Sequence, residues 1–147
     1  RSERQRQVNP RKLYLADHGL AAAFKVQSAE DLGRQLENVV ACELQRQRCD
    51  LAYVRTEGGH EVDFLATTPT GDQHLVQVAA QAFAAETLQR ELQALADAAA
   101  THRDARKWLL LGEPLPASVA VPRGVTAVPI WQWLLRGGLQ DAEATSG

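Results

Sequence analysis

Three oxygen-bearing side chains, Glu37, Asp63 and Gln77, fall where a chemical site could be assembled. Side chains alternate along a strand, so Glu61 and Asp63 of EVDFLAT are expected on one face and Val62 and Phe64 on the other. The same alternation in HLVQVAA gives Gln77 and Ala79 one face and Val76 and Val78 the other. Glu37 lies in the middle of a predicted helix, beside its apolar stripe. Oxygen donors of this kind suit a hard divalent cation, yet Ala79, the second member of the last pair, carries no polar side-chain atom. Other chemistry finds less support. His18, His60, His74 and His102 are scattered, and no C-x2-C or H-x3-H spacing occurs. Cys42 and Cys49 would stand two turns apart on a continuous helix, roughly 10 Å, too far for a disulfide. They read as two reduced thiols, which fits a cytoplasmic chain.

The elements that must position these residues follow from periodicity. Ser28-Ala29-Glu30-Asp31 opens a helix with a capping serine and first-turn acids. That helix is expected to run to about Arg48, with Leu32, Leu36, Val39, Val40 and Leu44 forming one stripe. Leu51–Thr56 and Glu61–Thr67 flank Gly58-Gly59 and predict a hairpin. Thr68–Asp72 is a second turn, and His74–Ala80 a third strand. Ala84–His102 is an Ala-rich helix with Leu88, Leu92, Leu95 and Ala99 on one face. Lys107–Leu111 reads as a strand buried on both faces, and Val119–Val121 and Val125–Val128 as short extended pieces. A last short helix starts at Pro129, and its Trp131 and Trp133 point about 200° apart, so both cannot face the core. Upstream, Leu13–Asp17 suggests a strand and Leu20–Phe24 one or two helical turns. The order predicts an α/β fold, a mixed β-sheet flanked by helices. Its hairpins are antiparallel, and a parallel step crosses the Ala-rich helix.

The 147 residues amount to one domain, and 45% hydrophobic with 23% charged residues is a globular composition. The net charge of −2 excludes a whole-domain basic field. No apolar run approaches a membrane span, so no membrane partner is expected. Residues 1–12 hold five basic residues and one acid and read as an exposed arm or interdomain linker. Residues 13–136 form the α/β domain and 137–147 a frayed tail. The chain starts at Arg1 and contains no Met. It is therefore expected to be part of something longer.

The helix acid, strand acid and strand pair follow the order of metal-dependent nucleases with a restriction-endonuclease-like fold. More widely, NPRKLYLADHGLAAAF, DLGRQLENVVACELQRQ, YVRTEGGHEVDFLA and LVQVA resemble the C-terminal module of a family of prokaryotic P-loop ATP-binding proteins, domain of unknown function 4143. The resemblance implies a PD-(D/E)XK-like domain following an AAA+-type ATPase module that would bind ATP and Mg2+. No G-x-x-x-x-G-K-[ST] occurs in this chain. Carried over, Glu37 is the helix acid and Asp63 the strand acid, the two expected metal ligands. Gln77 stands where an active nuclease has its second strand acid, and Ala79 where it has its lysine. Such a site would hold Mg2+ or Mn2+ only weakly, and losing a transition-state stabiliser costs on the order of 10²–10³ in rate. Lys25 or Lys107 could restore the charge only by reaching the site from elsewhere.

The resulting expectation is a non-catalytic accessory domain of an attached ATPase, acting in DNA binding, regulation or protein interaction. A degenerate metal-dependent DNA nuclease and a homodimerisation module are the alternatives. For DNA, Arg1, Arg4, Arg6, Arg11 and Lys12 form one basic cluster, and Arg34, Arg46, Arg48 and Arg55 a second.

Overall fold

The computed structural model describes residues 4–7, 29–80 and 85–140. Its elements are β1 (Arg4–Gln7), α1 (Ala29–Arg46), β2 (Asp50–Arg55), β3 (Glu61–Thr67), β4 (Gln73–Ala79), α2 (Ala85–Thr101), β5 (Arg106–Leu111), β6 (Val125–Pro129) and α3 (Ile130–Leu135), followed by a 3-10 turn at Gly138–Gln140. Strands β2 to β6 form a mixed sheet in chain order. The β2–β3–β4 meander is antiparallel, and β4–β5 and β5–β6 are parallel. β1 adds to the β2 edge as a sixth strand. The expected mixed sheet with a parallel crossing through the Ala-rich helix is found.

Helix α1 carries Glu30 and Asp31 in its first turn and Arg46 in its last, matching the helix dipole. Leu36, Val40, Ala41 and Leu44 bury one stripe against Phe64, Val76, Val78, Trp108 and Leu110. Helix α2 buries Leu88, Leu92, Leu95 and Ala98 on the other sheet face, against Val62, Leu65, Leu75, Leu109 and Leu111. The sheet is thus a middle layer between two apolar cores. Cys42 and Cys49 are both free thiols. Burial and the neighbouring Asp50 push the Cys49 thiol above its ordinary pKa.

The end of α1 explains why the helix stops short of Arg48. The Cys49 N–H donates to the Leu44 carbonyl at 3.1 Å and the Arg48 N–H to the Gln45 carbonyl at 2.8 Å. This is a Schellman closure, and Leu44 and Cys49 share the same core cluster. The closure forces Arg48 to φ 61°, a left-handed conformation that suits glycine better. Arg48→Gly is therefore expected to stabilise the fold by about 0.5–1 kcal/mol, the left-handed penalty less glycine's extra chain entropy. A higher urea midpoint with unchanged slope checks it.

Four features differ from the sequence expectation. The alternation of β3 is broken, because Ala52 pairs with Leu65 but Val54 pairs with Val62. Tyr53 alone faces two residues, Asp63 and Phe64, which is a β-bulge. Val62 and Leu65 consequently pack on the α2 side and Phe64 on the α1 side, so Val62 and Phe64 do not share a face. Second, Arg4–Gln7, within the stretch expected as an exposed arm or interdomain linker, forms a strand through backbone pairing with β2, which needs no apolar period. Third, Val119–Val121 is not a strand, and only Val125–Pro129 of that pair is. Fourth, the expected frayed tail is ordered through Gln140. Gly138 and Leu139 are buried, and Gln47 Nε2 donates to the Gly137 carbonyl at 3.0 Å. Gly138, at φ 64°, leaves no room for a Cβ beside Gln47 Nε2. The expected elements at Leu13–Asp17 and Leu20–Phe24, the Ser28 cap and Lys25 lie outside the described residues.

Candidate functional site

The bulge and the end of the β3–β4 ladder coincide. Backbone pairing runs from Thr67–Gln73 to Phe64–Val76 and ends there. One step further, two side chains take over the missing bonds. The Asp63 N–H donates to Gln77 Oε1 at 3.0 Å, and the Val78 N–H donates to Asp63 Oδ2 at 2.9 Å. Each strand thus satisfies a backbone donor of the other, as buried polar groups require.

Gln77 lies on the α2 face of β4, between Leu75 and Ala79, and is 5% exposed. Its Nε2 donates to Glu91 Oε2 across to α2. Burial pushes the Glu91 carboxyl above the ordinary carboxylate range. The Gln77 hydrogen bond and Arg90 act against that rise, and the charge of Glu37 adds to it. Glu37 belongs to the other helix, whose Gly33 and Leu36 approach Ala80 and Gly112 just past the end of β4. Two acids from opposite layers therefore meet electrostatically around this end of the strand.

Hydrogen bonds join Asp63, Gln77 and Glu91, and the charge of Glu37 is felt at Glu91. Three were readable from the sequence, and Glu91 was not. Its signal was slight: Glu91 lies three residues after Leu88 and one before Leu92, next to a leucine stripe that half-buries it. Ala79 is 5% exposed and packs in the α2-side core with Leu88 and Leu111, so its methyl closes apolar space where a lysine would be needed. Lys107 does not supply the charge, because its Nζ lies beside Gly124, 3.6 Å from where a Cβ would stand there.

The donor set does not fit a divalent metal. Asp63 Oδ2 and Gln77 Oε1 each accept a backbone hydrogen bond, and Gln77 presents its NH2 group, not an oxygen, to Glu91. Among the described residues no group of three or more His, Cys, Asp or Glu side chains is placed to hold a metal ion.

The basic clusters are distributed differently from expectation. Arg34 pairs with Asp31 at 2.7 Å, Arg46 with Glu43 at 2.7 Å, and Arg55 with Glu61 at 3.8 Å. Arg4 and Arg6 lie on β1, in register with Arg55 and Tyr53. Arg1, Arg11 and Lys12 lie outside the described residues.

Two further histidine contacts are structural. At the exposed β2–β3 turn, His60 Nδ1 meets Asp97 Oδ2 at 2.5 Å, tying the hairpin tip to α2. In the core, Trp108 Nε1–H donates to His74 Nδ1 at 3.0 Å. Burial and, less strongly, Arg106 depress the His74 pKa, with Asp72 opposing them. Its folded pKa lies below the ordinary ~6.5, so the unfolded chain binds the proton more readily. The stability His74 contributes is thus present above about pH 6.5 and lost as pH falls from there through the folded value. Urea unfolding at stepped pH should show this decline, and His74→Gln, which can still accept from Trp108, should remove it.

A family profile described as "Domain of unknown function (DUF4143)" matches residues 32–133, a span containing all four site residues, Ala79, helix α2 and all but the first three residues of α1. The chain belongs to the DUF4143 family. No curated protein and no solved structure matches it. Within this DUF4143 domain no described helix is long and apolar enough to cross a membrane.

Proposed function

We propose that this DUF4143 chain is a non-catalytic module on a restriction-endonuclease-like, PD-(D/E)XK-type fold. It serves an attached AAA+-type P-loop ATPase in the cytoplasm, through nucleic-acid binding and regulation of that partner. One observation carries the reading: the residue in the second-acid position, Gln77, spends both ends of its amide on internal partners. An acid there would hold a cation, whereas this amide ties β3, β4 and α2 together. The buried methyl of Ala79 supports the same conclusion.

Incubation with single- and double-stranded DNA and Mn2+ tests it. The reading expects no cleavage above that of an Asp63→Ala variant. Cleavage that the variant abolishes would establish a degenerate nuclease instead.

A second reading, self-association, draws on α3. Trp133 is buried, while Trp131 and Leu135, four residues apart on one helix side, are 64% and 80% exposed. Aromatic side chains left in water are favoured interface anchors. Sedimentation velocity across protein concentrations decides it. A monomer throughout would remove this reading.

A further inference from the structure

We propose that the turns leading into β5 and β6 form a phosphate-backbone contact surface built from Arg103, Arg106, Lys107 and Arg123. The proposal rests on the nucleic-acid part of the reading above and names a surface other than either basic cluster expected from the sequence.

Topology brings the four together. Register pairs Arg106 with His74, and Lys107 with Val125. One step before Val125 is Gly124, preceded by Arg123 in the turn closed by the Val125 N–H donating to the Pro122 carbonyl at 3.2 Å. Arg103 sits in the turn before β5, closed by the Ala105 N–H donating to the His102 carbonyl at 3.1 Å. Lys107 extends its Nζ to within 3.6 Å of where a Cβ would stand at Gly124, an ordinary contact distance. Adjacent strands lie ~4.8 Å apart, so these cations gather at one rim of the sheet, Arg106 toward the α1 side and Lys107 toward the α2 side.

Ion pairing differs among the surface cations. Arg34, Arg46 and Arg55 are each paired with a carboxylate, so three of the four arginines in the second expected cluster, all but Arg48, are paired. Among the described residues Arg103, Lys107 and Arg123 have no such partner. Asp72 and Asp104 are the acids in the turns closest to them in register, and Asp72 Oδ2 already accepts from Thr70. Arg103, Arg106 and Arg123 are exposed. Cations standing on two separate turns make a line and not a pocket, which suits a continuous polyanion more than a single carboxylate. A nucleic-acid strand offers one phosphate per ~3.4 Å of axis.

The test measures anisotropy of labelled single- and double-stranded oligonucleotides with the full chain over a range of salt. Each phosphate neutralised on a duplex contributes about 0.9 to the slope of log affinity against log salt. The variant Arg103→Ala/Lys107→Ala/Arg123→Ala should lower that slope by about 2–3. Arg34→Ala/Arg46→Ala/Arg55→Ala should leave it near the native value. If the triple variant unfolds, the exposed pair Arg103→Ala/Arg123→Ala makes the same test with a change of about 1.8. Native-like slope in the rim variants, with binding retained, overturns the surface and leaves the nucleic-acid reading standing. No binding even at low salt overturns both. Displacement of the oligonucleotide by polyglutamate at equal charge concentration would assign the rim to acidic protein, against the proposal.

Discussion

Replacing Gln77 with leucine is expected to cost about 2–5 kcal/mol of stability. The volume is nearly kept, so the loss is polar. The Asp63 N–H loses its acceptor and the half-buried Glu91 loses its donor. Each orphaned group costs about 1–3 kcal/mol. Against a total of about 5–15 kcal/mol for a domain, this is a large fraction. Urea unfolding should show a much lower midpoint with little change in slope. A midpoint within about 0.5 kcal/mol of the native chain would mean that Gln77 does not tie the three elements together.

Gln77→Glu should have an effect of similar size but with a pH signature. A protonated carboxyl keeps the amide's pattern, accepting from the Asp63 N–H and donating to Glu91. The ionised form instead sets a buried carboxylate against the half-buried Glu91, with Glu37 adding charge. Burial and like charge then raise the folded pKa of the new carboxyl above its unfolded ~4.3. The sign follows directly: its stability contribution is complete below about pH 4.3 and is lost as pH rises through the raised folded value. A divalent cation can replace the missing proton, so Mn2+ should raise the melting temperature of Gln77→Glu at pH 7 and leave the native chain unchanged. A variant as stable at pH 7 as at pH 4, and indifferent to Mn2+, would contradict this account of the site.

Much of the frame was legible from periodicity. Leu36, Val40 and Leu44 at helical spacing and Leu88, Leu92 and Leu95 on α2 bury where the pattern puts them. The glycine turn at Gly58-Gly59 and the crossing to Lys107–Leu111 gave the antiparallel and parallel parts of the sheet. The positions of Glu37, Asp63, Gln77 and Ala79 along those elements were also readable. Their roles depended on a feature that leaves no periodic trace. The bulge inserts one residue opposite Tyr53, and this changes which β3 side chains share a face. Alternation alone therefore misplaces Val62 relative to Phe64, and it gives no hint that Asp63 reaches the Val78 N–H. Glu91 was hidden for a different reason. An acid beside a leucine stripe reads as a solvated flank until its partner on the sheet is known. β1 was invisible because an edge strand of Arg and Gln gains its place from backbone pairing, not from an apolar face. The Schellman closure at Arg48 was missed because arginine seldom adopts a left-handed φ, so its presence there gave no stop signal.

The claim on which these expectations converge is that the polar cluster at the end of the β3–β4 ladder satisfies itself and holds no cation. Calorimetric titration of Mn2+ into the native chain at neutral pH addresses it most directly. The account predicts only heats of dilution, the same as for Asp63→Asn. A saturable one-to-one isotherm in the native chain that disappears in Asp63→Asn would contradict it.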